Sequence, residues 1–197
     1  MRVGLRWVAC AAMIAVVAGC AVPVPIPVPV GGEKAAEGQP QPLSRVGRFA
    51  LTVSEVGGKQ NAVQGGFAWR DDGANLTLDL VSPVGQTLAR VEAGQGGALL
   101  REANGKETQA LNPDALVALV LGSRIPVGGL REWLRGNLPA DPAATVVEKD
   151  AEGRPTLFTQ AGWQVRINQY DKIGPTRMLL QHTESNGQDI DLRLVVN

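Results

Sequence analysis

The sequence predicts a mainly β domain with two helices: about eleven antiparallel strands arranged around two short helical insertions. Three observations carry this. From Leu43 onward apolar and polar residues alternate with a period of two, interrupted at short intervals by Gly-, Asn- and Asp-rich turns. Only between Asn112 and Gly136 does the pattern change to helical spacing. Finally, Gly65-Gly66 falls inside a strand, which predicts the bulge or bend that a strongly curved sheet requires.

The segment before the domain reads as a leader and a tether. Arg2 and Arg6 form a basic start, and Trp7 to Val17 an apolar run too short to span a bilayer comfortably. Val17-Ala18-Gly19-Cys20 looks like a lipobox, the bacterial lipoprotein signal, with Val where Leu is commonest. The expected division is a signal peptide over 1–19 and a lipidated Cys20 opening a Pro-rich tether over 20–42. Cleavage would remove Cys10 with the leader and acylation would consume Cys20, leaving no free thiol. Ala21 follows the cysteine rather than Asp, which by analogy with other such lipoproteins points to export to the outer membrane. Ala21 to Val30 alternates Pro with branched residues and favours polyproline II, a stiff spacer rising ~3.1 Å per residue. Glu33 to Pro42 is polar and aperiodic, a flexible linker.

The first strands are expected at Val46 to Ser54, Gln60 to Arg70, Asn75 to Ser82, Gln86 to Ala93, Ala98 to Glu102 and Thr108 to Ala110. Alternation sets Val63, Gly65, Phe67 and Trp69 on one face of the second, and Leu76, Leu78 and Leu80 on one face of the third. The turn Ser82-Pro83-Val84-Gly85 is unusual because its corner is a bare hydrocarbon. Asn112-Pro113-Asp114 is a helix start, with Asn as cap, Pro in the first turn and Asp at the positive end of the dipole. Ala115 to Leu121 follows, apolar nearly all round, and Gly122 closes it. A second helix, about Gly129 to Arg135, puts Leu130, Trp133 and Leu134 on one face. Strands resume at Thr145 to Lys149, Thr156 to Gln160, Trp163 to Tyr170, Arg177 to Thr183 and Gln188 to Val196.

Composition narrows the function by exclusion. Acidic and basic residues number 19 each, so no charge field advertises nucleic acid. With one histidine and two cysteines, the chain cannot build a His/Cys zinc site or a disulfide framework. A Ser-His-Asp site would rest wholly on His182, in Leu179-Leu180-Gln181-His182-Thr183, and no Gly-x-Ser-x-Gly elbow is present. No catalytic residue, metal or cofactor is assigned, and the chain is not expected to be an enzyme.

An ordered set of stretches resembles the LolB family of outer-membrane lipoproteins. They are Gly66-Phe67-Ala68-Trp69, Leu78 through Ala89, Ile125-Pro126-Val127 through Leu130, Trp133 with Gly136, Gly162-Trp163, Tyr170, and Ile190 through Val195. The resemblance spans Val46 to Asn197, and the predicted domain runs 43–197. It implies an unclosed β-barrel around a hydrophobic cavity, lidded by the helices. It also implies a function: accepting acylated lipoproteins from a LolA-like periplasmic carrier and inserting them into the outer membrane. The chain would act as a monomer facing the periplasm, anchored in outer-membrane lipid.

In the family an apolar residue, usually Leu, projects from a loop between two early strands and is needed for delivery. The matching position is Val84, flanked by Pro83 and Gly85, so the side chain here is slightly smaller. Gly122-Ser123-Arg124 departs from a Gly-Trp often found there, which removes an aromatic beside the helices. The inward positions expected to line an acyl-chain cavity are Phe67, Trp69, Leu76, Leu78, Leu80, Leu116, Leu119, Val120, Leu130, Trp133 and Leu134. About half should serve only as core, because a small barrel fills much of its interior with side chains. The competing expectation is a non-enzymatic envelope scaffold, or lipid-binding lipoprotein, with a filled barrel.

Overall fold

The computed structural model describes residues 41–122 and 124–197. The leader, Cys20, most of the tether and Ser123 lie outside the described residues.

Eleven strands form one antiparallel sheet. The first meander comprises β1 (Leu43–Ser54), β2 (Gln60–Asp71), β3 (Leu76–Val81), β4 (Thr87–Gly94), β5 (Gly97–Glu102) and β6 (Glu107–Ala110). Two helices follow, α1 (Pro113–Leu121) and α2 (Val127–Trp133). The second meander is β7 (Thr145–Lys149), β8 (Pro155–Gln160), β9 (Trp163–Tyr170), β10 (Pro175–Thr183) and β11 (Asp189–Val196). The strand order β6-β5-β4-β3-β2-β1-β11-β10-β9-β8-β7 joins the meanders through β1 and β11 and leaves β6 and β7 as open edges. The barrel is therefore unclosed. The chain must pass from one outer edge to the other between β6 and β7, which is why the helices fall across the concave face.

Of the bulge or bend expected at the glycine pair, the bulge is absent. β1 and β2 pair without a register shift from Leu43↔Asp71 to Ser54↔Gln60, so Gly65-Gly66 makes no bulge there. What the site requires is close approach. A Cβ on Gly65 would stand 2.1 Å from the Val81 carbonyl oxygen, and one on Gly66 2.8 Å from the Val81 side chain. The sheet coils tightly at this point, and only a hydrogen fits inside the bend.

Helix α1 forms as its residues direct. Asn112 Oδ1 accepts a hydrogen bond from the Ala115 N–H at 2.8 Å, and Gly122 ends the helix at φ 67° with its N–H on the Ala118 carbonyl. Helix α2 begins two residues earlier than expected. Pro126-Val127-Gly128-Gly129 is a poor helix start, and Pro126 gives it no side-chain cap. The missing acceptor is supplied from α1, where Asp114 Oδ1 takes the Gly128 N–H at 2.8 Å. Neither helix is long and apolar enough to cross a membrane.

A hydrophobic cavity with a closed floor and an apolar mouth

The concave face and the helices enclose a cavity of about 330 Å³. That lies within the range of small-molecule pockets, ~300–1,000 Å³. Its wall is assembled by alternation, each strand turning every second residue inward. Strand β1 contributes Phe49 and Leu51, β2 Val63, Phe67 and Trp69, β3 Leu78 and Leu80, and β11 Leu192 and Leu194. The helical side supplies Leu116, Val117 and Val120 from α1, then Ile125, Val127, Leu130 and Leu134. Of the lining residues only Glu102 carries a charge, so a ligand here meets hydrocarbon.

Exposure gives the cavity a direction. Trp69, Leu116 and Leu134 are at most 2% exposed, whereas Val63, Val120 and Leu88 are 45%, 41% and 38% exposed. The latter three mark the mouth. Beside Leu88 lies the turn from Ser82 to Gln86, closed by hydrogen bonds from Ser82 N to Gln86 O and from Gly85 N to Ser82 O, at 2.7 and 2.9 Å. Gly85 takes φ 84°, a conformation branched residues avoid, and so frees Val84 to occupy the corner. Val84 is 81% exposed.

The opposite end is shut by charge and by core. Asp71, at the end of β2, is 3% exposed. It accepts from Arg131 Nε at 3.0 Å and Nη2 at 2.5 Å, and Arg135 Nη2 stands 3.0 Å from it. Burial pushes the Asp71 carboxyl up, but Arg131, the Gly73 N–H and Arg135 more than offset this and hold it below the usual carboxylate range. Arg45, also 3% exposed, pairs with Asp171 at 2.9 Å and donates to the Pro175 carbonyl at 2.6 Å. These ties fasten α2 to β2, and the first strand to the β9–β10 turn.

Eight of the eleven expected positions line the cavity: Phe67, Trp69, Leu78, Leu80, Leu116, Val120, Leu130 and Leu134. Three stand elsewhere. Leu76 pairs with Asp71 at the floor and is 1% exposed, core rather than wall. Trp133 is equally buried; its Nε1 donates to Gln160 Oε1 at 2.7 Å and its ring meets Phe158 edge-on. Leu119 is 68% exposed and points out of the fold.

Leu88 was not among the expected lining residues. Register between β3 and β4 shifts from Leu80↔Ala89 to Val81↔Thr87, and the skipped residue, Leu88, joins Ala89 in the lining. Phe49, Leu51, Leu192 and Leu194 were also missed as lining, although their alternation was readable. His182 stacks on Trp163 with ring centroids 5.0 Å apart, and its Nδ1 lies 2.8 Å from the Gly162 carbonyl oxygen. Those contacts give it a packing role.

Residues 43–197 match the family described as Outer membrane lipoprotein LolB. A Bordetella petrii protein named Outer-membrane lipoprotein LolB is 49% identical over 97% of this chain and 91% of its own length. A namesake from Bordetella pertussis is 50% identical over 93% and 88%, and one from Cupriavidus metallidurans 38% identical over 77% of each chain. A crystal structure of a LolA superfamily protein from Nitrosomonas europaea is similar at a TM-score of 0.39 and 9% identity, covering 77% of this chain and 83% of that one, a likeness too loose to argue from. The chain belongs to the LolB family of outer-membrane lipoproteins.

Proposed function

We propose that this protein is an outer-membrane receptor that takes the acyl chains of lipoproteins into its cavity and passes them to the membrane. The observation that carries the reading is an apolar cavity, closed at the floor, whose mouth opens beside an exposed apolar turn. A filled barrel, as a scaffold would have, offers no such space.

The chemistry requires a container of this kind. Exposing an acyl chain of about fifteen CH₂ groups to water costs roughly 12 kcal/mol at ~0.8 each. The cargo therefore travels in a dry site on a LolA-like carrier and moves to this cavity because the cavity holds it more favourably. Direction then comes from differential affinity, with no reaction and no catalytic residue. Cys20 serves as the lipidated anchor, residues 20–42 let the monomeric domain stand off the membrane on its periplasmic side, and Val84 is the side chain that enters lipid during delivery. Glu102, paired with Lys106 at 3.3 Å, is the charged residue among the described lining.

The test mixes the mature-length chain carrying Cys20→Ala with the carrier loaded with a lipoprotein, then separates the two proteins. Cargo found on this chain supports the receptor reading, and cargo retained by the carrier contradicts it. Val84→Glu should leave acceptance intact but cut delivery to vesicles several-fold, because a carboxylate resists hydrocarbon. Normal delivery by that variant would remove Val84 from the mechanism.

A further inference from the structure

The two outer edges of the sheet are blunted, as exposed edges usually are. Strand β6 has four residues, includes Glu107, follows Lys106 and lies against α1. Strand β7 is broken by register shifts against β8 and ends in Glu148-Lys149. A third edge has no such protection. β2 pairs with β1 along its whole length, but β3 joins it only from Gly66↔Val81 onward. Among the described residues, Gln60 to Gly65 thus has a ladder on one side only. It holds neither charge nor proline, and Gln60 to Gln64 is exposed.

Alternation identifies the free groups. The Glu55 N–H donates to the Lys59 carbonyl, so the N–H and C=O of Gln60, Ala62 and Gln64 turn away from β1. They continue the row of Gly66 and Ala68, which face β3. Val63, in the same stretch, lines the cavity at its mouth. The unguarded edge is therefore part of the cavity's rim.

We infer that Gln60–Gly65 is a docking edge for the first residues of a bound lipoprotein, which add to β2 as an extra strand. This rests on the acyl-binding reading above. A protein held by acyl groups on its N-terminal cysteine has to leave the cavity across the rim, and its next residues pass this edge. Main-chain pairing reads no side chains, which suits a receptor whose cargoes share a lipid and differ in sequence. It also distinguishes an acylated protein from a free fatty acid, which fills the same cavity but offers no strand.

The experiment compares two probes on the mature-length Cys20→Ala chain. One is a dipalmitoylated cysteinyl peptide with six proline-free residues, and the other is its twin N-methylated at alternate amides. The unmethylated probe should bind about tenfold more tightly, the net effect of a few backbone hydrogen bonds less the cost of ordering the peptide. Ala62→Pro, which removes an outward N–H and no β1 bond, should erase the difference while a palmitoyl probe without peptide binds as before. In the unsubstituted chain the Ala62 and Gln64 amides should exchange quickly when free and slow on adding the unmethylated probe. Equal, tight binding of the twins would overturn the docking edge alone. Amides already protected without ligand would also overturn it, by showing that another segment of this chain covers the edge. Failure of every palmitoylated probe to bind would overturn the acyl-binding reading and this inference with it.

Discussion

The two helices sit side by side across the same concave face, yet they are held in opposite ways. Helix α2 is fastened: Val127, Leu130 and Trp133 are buried, Trp133 is hydrogen-bonded to Gln160, and Arg131 is paired with a buried carboxylate. Helix α1 is held by packing against β5 and β6 rather than by charge. Leu116 is buried against the sheet, but Leu119 and Val120 are exposed, and among the described residues one hydrogen bond, Gly128 N to Asp114 Oδ1, joins it to α2. One helix closes the floor of the cavity and the other borders its mouth. Fixed structure belongs where the container must not leak, and lightly held apolar structure where cargo must pass.

Breaking the floor should have the largest effect. Asp71→Ala leaves two arginines beside an empty buried site and should cost about 3–5 kcal/mol, read by urea unfolding. The same pair gives a pH signature. Asp71's folded pKa is lowered from 3.8, so its contribution is full above that pH and is lost as pH falls through the lower folded value. The stability gap between the unsubstituted chain and Asp71→Ala should therefore narrow below about pH 4. A gap that stays constant through that range would show that the ion pairs contribute nothing.

Loosening α1 should cost less. Asn112→Ala removes the cap on the Ala115 N–H and should lower stability by about 1 kcal/mol. The smallest effect belongs to Leu119→Ser, within about 0.5 kcal/mol and without change in acyl binding, because that side chain touches neither core nor cavity. A loss as large as that of Asp71→Ala would mean α1 is as tightly fixed as α2, and the contrast would fall.

The strands and the cap of α1 were legible because both are local. Alternation in Leu76-Thr77-Leu78-Asp79-Leu80 and the Asn112-Pro113-Asp114 start need no knowledge of distant partners. What resisted reading depends on residues far apart in the chain. Asp71 lies just past the second expected strand, which ends at Arg70, and only the fold brings Arg131 and Arg135 to it. Trp133 carried an apolar face that suited a cavity wall equally well, until Gln160 took its N–H and Phe158 its ring. Leu88 was hidden by a register shift that no single strand announces. Eight of the eleven inward positions still line the cavity: alternation fixes the face of the four on strands, Phe67, Trp69, Leu78 and Leu80, and the apolar helical segments supply Leu116, Val120, Leu130 and Leu134.

The most direct test of the central claim, that this cavity holds acyl chains, is titration of a brominated palmitoyl chain read by tryptophan fluorescence. Trp69 lines the cavity, while Trp133 and Trp163 are packed outside the lining. Quenching should saturate at one chain per protein, be largely lost in Trp69→Phe, and weaken at least tenfold in Ala89→Phe, which fills the space without adding charge. Quenching that never saturates, or that survives Ala89→Phe unchanged in a folded protein, would place the acyl chain somewhere other than this cavity.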